Sequence, residues 1–308
     1  MTVALPPSLT VFERGWLSSN NILLHGSDGE GATLIDSGYV SHAEQTLALV
    51  RHALQPGQTL SCIVNTHLHS DHCGGNAALA RVFGAQIVIP PGHADAVARW
   101  DEDLLSYRLT SQRCERFTAD AVLRPGGSFT VGARTWHAQA APGHDPHSLV
   151  LFDERHGVLI SADALWENGF GVVFPELDGE SAFDDVAAVL DLIESLDARH
   201  VIPGHGAPFT DVAGALQRAR SRLAAFRADP SRHARHGIKA LAKYHLLEVG
   251  SEPLPALRAW FSATPIAQQV WQRLGGPDGS PGNWGARLIA ELVAQGALAM
   301  RDGVVHND

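Results

Sequence analysis

The stretch NTHLHSDHCGG, Asn65 to Gly75, sets three histidines and an aspartate within six residues, directly after the apolar run CIV. In extended backbone alternate side chains share a face, so His67 and His69 point the same way. Asp71 and His72 follow in a turn, and Gly74-Gly75 reads as a tight bend before the helical stretch NAALARVF. A strand end followed by a turn can aim two ligands at one metal ion and two at its neighbour. Imidazole and carboxylate suit zinc, iron and manganese, and a set without cysteine does not fit a purely structural zinc. Cys73, beside His72, reads as a small buried residue rather than a ligand. Surface histidines could supply single members of such a cluster; the crowding favours a metal site.

The rest of the chain supplies a setting. From about Leu9 to Ile202, apolar runs such as ATLIDSG, QIVIPPG, LVLF, GVLISAD and HVIPGH read as strands closed by Gly, Asp, His or Pro. Between them HAEQTLALVRHAL, NAALARVFG, HADAVARW and FDDVAAVLDLIESL have helical spacing. Such interleaving implies a layered α/β architecture. Charge divides the chain: residues 1–211 carry 11 basic and 26 acidic residues, a balance of -15, and residues 212–308 carry 12 and 7, a balance of +5. The expected organisation is a catalytic domain over 1–211, a helical linker over 212–239 and a winged-helix-like domain over 240–308. Arg99 to Phe117 reads as a helical insertion, with Tyr107, Arg108, Arg113 and Arg116 on a solvated face or facing an anionic substrate.

Three further candidates close strands: His144 in QAAPGHDPHS, Asp163 in VLISADAL and His205 in VIPGHG. The set THLHSDH, PGH, SAD, PGHG resembles the metallo-β-lactamase superfamily, in its glyoxalase II-like form, over roughly residues 9 to 210. The resemblance implies an α/β fold, an αβ/βα four-layer sandwich with its site at one edge between two similar halves. By position it implies that His67, His69 and His144 hold a first metal, that Asp71, His72 and His205 hold a second, and that Asp163 bridges both. The implied cofactors are two divalent ions, zinc first and iron or manganese as alternatives. Zinc β-lactamases usually carry Cys where Asp163 stands, which argues against an antibiotic-hydrolysing enzyme. Two such ions about 3.5–4 Å apart can hold a bridging hydroxide at neutral pH, with Asp71 orienting it or passing on its proton.

The expected activity is hydrolysis of a small-molecule ester, thioester or lactone. The alternatives are an endoribonuclease or phosphodiesterase of the winged-helix branch and an iron-dependent oxidoreductase. Tyr39, His147, Trp166 and Phe170 flank the motifs and are candidate substrate contacts, while Asp36 is read as a hydrogen-bonding residue. The basic stretch 212–243, whose single acid is Asp229, either grips an anionic substrate or presents a solvated face. The presumed recognition helix GNWGARLIAELVAQG offers one Arg and one Glu, too few cations for duplex binding, which needs several phosphate contacts. Nucleic acid is therefore not the expected partner, and the C-terminal module is read as a packing or homodimer element. No apolar run reaches membrane-spanning length and the first residues lack a basic, apolar signal sequence. With three cysteines, the expected location is the cytoplasm, without membrane association.

Overall fold

Strand alternation decides the layering. The structure is a computed structural model that describes residues 5–27 and 29–307. One sheet has six strands in spatial order: β1 (Leu9–Phe12), β2 (Asn21–Leu24), β3 (Ala32–Ile35), β4 (Leu60–Val64), β5 (Gln86–Ile89) and β6 (Ala121–Val122). The second has five: β7 (Ser128–Val131), β8 (Arg134–Ala140), β9 (Leu149–Asp153), β10 (Val158–Ala162) and β11 (His200–Pro203), in the order β11-β10-β9-β8-β7. Within β2 and β3, Ile22, Leu24 and Ile35 face the second sheet, whose Leu149, Leu151, Val158 and Ile160 meet them. Leu23 and Leu34 face the other way. Strands β2, β3, β9 and β10 are buried along their whole length, as strands covered on both faces must be.

Helices complete the outer layers. Against the first sheet pack α1 (Ala43–Ala53), α3 (Asn76–Phe83) and α4 (Ala94–Arg99), through Leu47, Val50, Leu79 and Val97. The short α2 (Ser70–Cys73) precedes α3, and α5 (Tyr107–Thr110) and α6 (Phe174–Asp178) lie in connections. Against the second sheet pack α7 (Phe183–Ser195) and α8 (Val212–Ala228), through Val186, Leu190, Leu216 and Leu223. Truncating one of these fully buried leucines to alanine costs about 2–5 kcal/mol.

Beyond the sandwich come α9 (Pro230–Val249), β12 (Ser251–Pro253), α10 (Leu254–Ala263), α11 (Pro265–Arg273), α12 (Pro281–Ala294), β13 (Ala299–Arg301) and β14 (Val304–His306). These strands form a small antiparallel sheet in the order β12-β14-β13. Its helices share a core of Ile238, Leu241, Phe261, Ile266, Trp284 and Leu288, into which Leu177 of α6 inserts. Gly237 makes that approach close: a Cβ there would meet Leu177 at 2.6 Å.

Two expectations meet a different structure. The stretch 99–117 holds one short helix, α5, rather than a helical insertion; Trp100, Ser106 and Ser111 adopt left-handed backbone (φ 56, 62 and 56°) and interrupt it. The expected boundary between residues 239 and 240 falls inside α9, which runs unbroken from Pro230 to Val249.

Candidate metal centre

The candidate ligands lie just beyond the C-terminal ends of strands: His67 and His69 after β4, His144 after β8, Asp163 after β10 and His205 after β11. Backbone bonds lock these ends together. Leu149 N donates to Thr66 O across the two sheets at 2.8 Å, Asn20 N to Gly204 O at 2.6 Å and Ser37 N to His72 O at 2.7 Å. The turn after His72 is held from within: Asn76 Nδ2 donates to Asn65 Oδ1 at 2.6 Å, and Ser37 Oγ to Asn76 Oδ1 at 2.8 Å. Gly74 and Gly75 have ordinary helical backbone, so they do not serve as a bend. Their role is close approach, since a Cβ on Gly75 would meet Ser37 O at 2.4 Å.

All seven candidate ligands converge on one spot. His67 Nε2 stands 3.1 Å from His69 Nδ1, which stands 2.7 Å from His144 Nε2. His205 Nε2 lies 3.0 Å from Asp71 Oδ2. Asp163 sits between the groups, 3.3 Å from His144 Nε2 and 3.6 Å from His72 Nε2. Three triplets have ligand atoms within 4.8 Å of one another: His67, His69 and His144; His67, His72 and Asp163; Asp71, His72 and His205. Gly204 keeps room for the Asp163 carboxylate, because a Cβ there would collide with Asp163 Oδ1.

Neighbours orient the rings. Asp36, at the end of β3 with φ 57°, accepts from Thr66 N at 2.9 Å, Thr66 Oγ1 at 2.8 Å and His72 Nδ1 at 2.8 Å. That leaves His72 Nε2 facing inward, buried and without a hydrogen-bond partner among the described residues. His144 Nδ1 donates to Val172 O at 2.6 Å, turning its Nε2 inward. Thr66 Oγ1 stands 3.1 Å from His67 Nδ1 and does the same there. A ligating imidazole is characteristically held through its second nitrogen in this way.

The electrostatics match the geometry. Burial, then His72, pushes the His67 imidazole well below its usual pKa, and burial, then His144, takes His69 down to about 4. Burial works against ionised Asp163, but His72, His205 and His144 together hold it well below the ordinary range. For His72 burial is outweighed by Asp36, Asp163 and Asp71, which raise it. Neutral His67 and His69 beside an ionised Asp163, with His72 Nε2 unpartnered among them, form a donor set that fits divalent cations.

The centre opens into a cleft of about 690 Å³ walled on one side by α9 through Leu241, Lys243, Tyr244 and Leu247. Of the four expected substrate contacts, Trp166 lines it and donates Nε1–H to Asp163 Oδ1 at 3.2 Å. Tyr39, His147 and Phe170 do not line it. Tyr39 is fully buried and donates to Glu248 Oε2 at 2.9 Å. The His147 ring packs on His93 with centroids 4.5 Å apart, and Phe170 belongs to the core beneath α7 and α8. Arg113 pairs with Glu248, Arg108 with Glu102 and Asp103, and buried Tyr107 donates to Leu68 O at 3.0 Å. Cys73 is buried against Tyr107 and Cys114, and its thiol meets the carbonyls of Leu68 and His69. Sequence reasoning missed Trp16, stacked on His205 at 5.2 Å, and Phe174, 4.7 Å from the His69 ring. It also missed Asp145, 3.8 Å from His69 Nε2, whose one signal was its place directly after His144.

Comparison with known proteins agrees with this centre. Residues 14–205 match the model of the Metallo-beta-lactamase superfamily. A stretch of 162 residues is 30% identical to the hydroxyacylglutathione hydrolase of Anaeromyxobacter dehalogenans (strain 2CP-C), covering 52% of either chain. The chain thus spans about half the length of that relative. An alignment over 234 residues gives 26% identity to the probable metallo-hydrolase YqjP of Bacillus subtilis (strain 168), covering 64% of this chain and 71% of that one. The crystal structure of a beta-lactamase domain protein from Burkholderia ambifaria matches 99% of this chain and 93% of its own, with TM-score 0.57 and 21% identity, a likeness of fold.

Proposed function

Because the chain belongs to the metallo-β-lactamase superfamily, we propose that it is a dinuclear metal-dependent hydrolase of a small-molecule ester, thioester or lactone. One observation carries the reading: three ligand triplets, linked in series through His67 and then His72, meet at the floor of a cleft. His67, His69 and His144 would hold one ion, Asp71, His72 and His205 the other, with Asp163 between them. Zinc fits these donors, and iron and manganese share them. Bound divalent ions would supply Lewis-acid polarisation of a scissile carbonyl and lower the pKa of water from near 16 toward roughly 7.

The chain's own residues do the rest. Asp71 lines the cleft beside His205 and is placed to orient water and take its proton. Trp16 stacks on His205 and Phe174 packs against His69, placing apolar rings beside the ligands at the cleft. The name of the 30% identical relative, a hydroxyacylglutathione hydrolase, favours a thioester within this class. We read residues 240–308 as winged-helix-like; the order of helices and strands, with β14 between β12 and β13, supports this. Insertion of Leu177 into that module's core supports a packing role.

The test is turnover of a thioester, a lactone and a bis-phosphate ester by the metal-loaded protein and by His69→Ala. Thioester or lactone turnover that falls about a hundredfold or more in the variant is expected, since even residues behind metal ligands contribute about 10–100-fold. Turnover confined to the bis-phosphate ester would favour a phosphodiesterase, and oxygen uptake by an iron-loaded protein without hydrolysis would favour the redox alternative.

A further inference from the structure

The basic residues of α8 and α9 divide into two groups. Arg218, Arg220, Arg227, Arg235 and Lys239 each pair with a carboxylate: Asp211, Asp191 and Glu194, Asp184, and Glu291 for the last two. Arg222, Arg232 and Lys243 have no carboxylate within ion-pairing distance among the described residues. Arg222 and Arg232 line a groove of about 650 Å³ between the two helices, with His236. Arg222 and His236 also line the metal cleft, together with Lys243, so groove and cleft adjoin at the Arg222–His236 pair. Among the described residues no acidic side chain lines the groove.

Arg222 is held ready. Its guanidinium lies over the Phe226 and Phe170 rings at 5.6 and 5.9 Å and donates to His236 Nε2 at 3.0 Å. His236 must be neutral to accept that bond. Its pKa is pushed down to about 4 by burial first, then by Arg222, Lys239 and Arg232. A protein with a balance of -15 over residues 1–211 pairs its exposed cations readily. Cations left unpaired along a concave path from the metals therefore mark a place where an anion sits.

Building on the hydrolase reading, we propose that the α8–α9 groove binds the phosphate-bearing tail of the substrate through Arg222 and Arg232, with Lys243 on the adjoining cleft wall, while the acyl group lies at the metals. The substrate class is an acyl thioester whose thiol carrier bears phosphate groups. Forked guanidinium donors and a neighbouring ammonium suit phosphate oxygens, and the groove's length beyond the cleft suits an extended carrier.

The test compares one acyl group on two thiols, coenzyme A and neutral N-acetylcysteamine, in the metal-loaded protein and its Arg232→Glu and Arg232→Ala variants. Arg232 is exposed, so its replacement leaves the fold intact. Each variant is expected to raise KM for the coenzyme A thioester about tenfold with kcat unchanged, and to leave the N-acetylcysteamine thioester unaffected. Equal effects on both thioesters, or none, overturn the proposal. Calorimetric titration with inorganic pyrophosphate provides a readout that does not depend on turnover. Binding weakened about tenfold by Arg232→Glu supports the groove even if no thioester is cleaved, in which case the hydrolase reading fails alone. Unchanged pyrophosphate affinity overturns the groove, because the anion would then be held at the metals. Loss of affinity for a single-stranded RNA oligonucleotide in Arg232→Glu, with thioester discrimination unchanged, likewise overturns it in favour of a nucleic-acid track.

Discussion

Asp36 shows how a residue that touches no metal can govern a metal site. Its two carboxylate oxygens take three donors, from Thr66 N, Thr66 Oγ1 and His72 Nδ1. It therefore fixes the strand end that carries His67 and the tautomer of His72 in one stroke. In Asp36→Asn one side-chain oxygen becomes an N–H donor and cannot accept from Thr66 or from His72. The His72 ring then loses its anchor while the ligands themselves remain. Metal affinity is expected to fall about 10–100-fold, measured by competition with a zinc-binding dye. An affinity unchanged in this variant would mean that His72 is held by packing alone.

Between the sandwich and the C-terminal part, α9 acts as the connecting element, and His233 is its most deeply set polar residue. The ring is 1% exposed, packs on Phe183 and Phe226, and accepts from Val173 N at 3.2 Å. Burial, then His236 and Arg222, pushes its pKa from 6.5 down to about 3. On acidification the unfolded chain takes up the proton before the folded one does. Stability is thus unaffected by this group above about pH 6.5 and is lost as pH falls from there toward 3. Between pH 7.5 and pH 5 the loss from His233 is about 2 kcal/mol. Urea denaturation of the metal-loaded His233→Gln protein is expected to show a correspondingly shallower pH dependence than wild type; an identical slope would remove His233 from the acid response. The same elements show what a sequence reveals. Strands β2 to β5 and β8 to β11 are legible because each is an apolar run stopped by Gly, Asp, His or Pro. β6 is two exposed residues and β7 alternates over only four, too short for a periodic signal. His67, His69, Asp71 and His72 are legible because their spacing is local, and His144, Asp163 and His205 because each closes an apolar strand in a motif that resembles the superfamily's. Trp16, Phe174 and the α9 wall are not, because the fold brings them to the centre from distant parts of the chain with no spacing rule between them. Tyr39, His147 and Phe170 sit on the right loops, but packing turns them away from the cleft.

At the scale of the whole molecule, two sheets set their strand ends side by side, and a helical portion closes the opening they leave. The acidic sandwich and the basic helices meet at the metal cleft, where Asp71 and Asp163 belong to the centre, Glu167 lies outside it, and Arg222 and Lys243 come from α8 and α9. The centre follows from the sandwich, while the shape of what enters it follows from α8 and α9. The described residues include no helix long and apolar enough to cross a membrane. Because every other inference rests on the metal centre, elemental analysis of the purified protein beside Asp163→Ala is the most direct test. Two zinc, manganese or iron ions per wild-type chain are expected, falling to about one or fewer when the carboxylate between the two ligand groups is removed. A wild-type chain that is fully active in hydrolysis with one ion or none, or an Asp163→Ala chain that keeps two, would contradict the dinuclear centre.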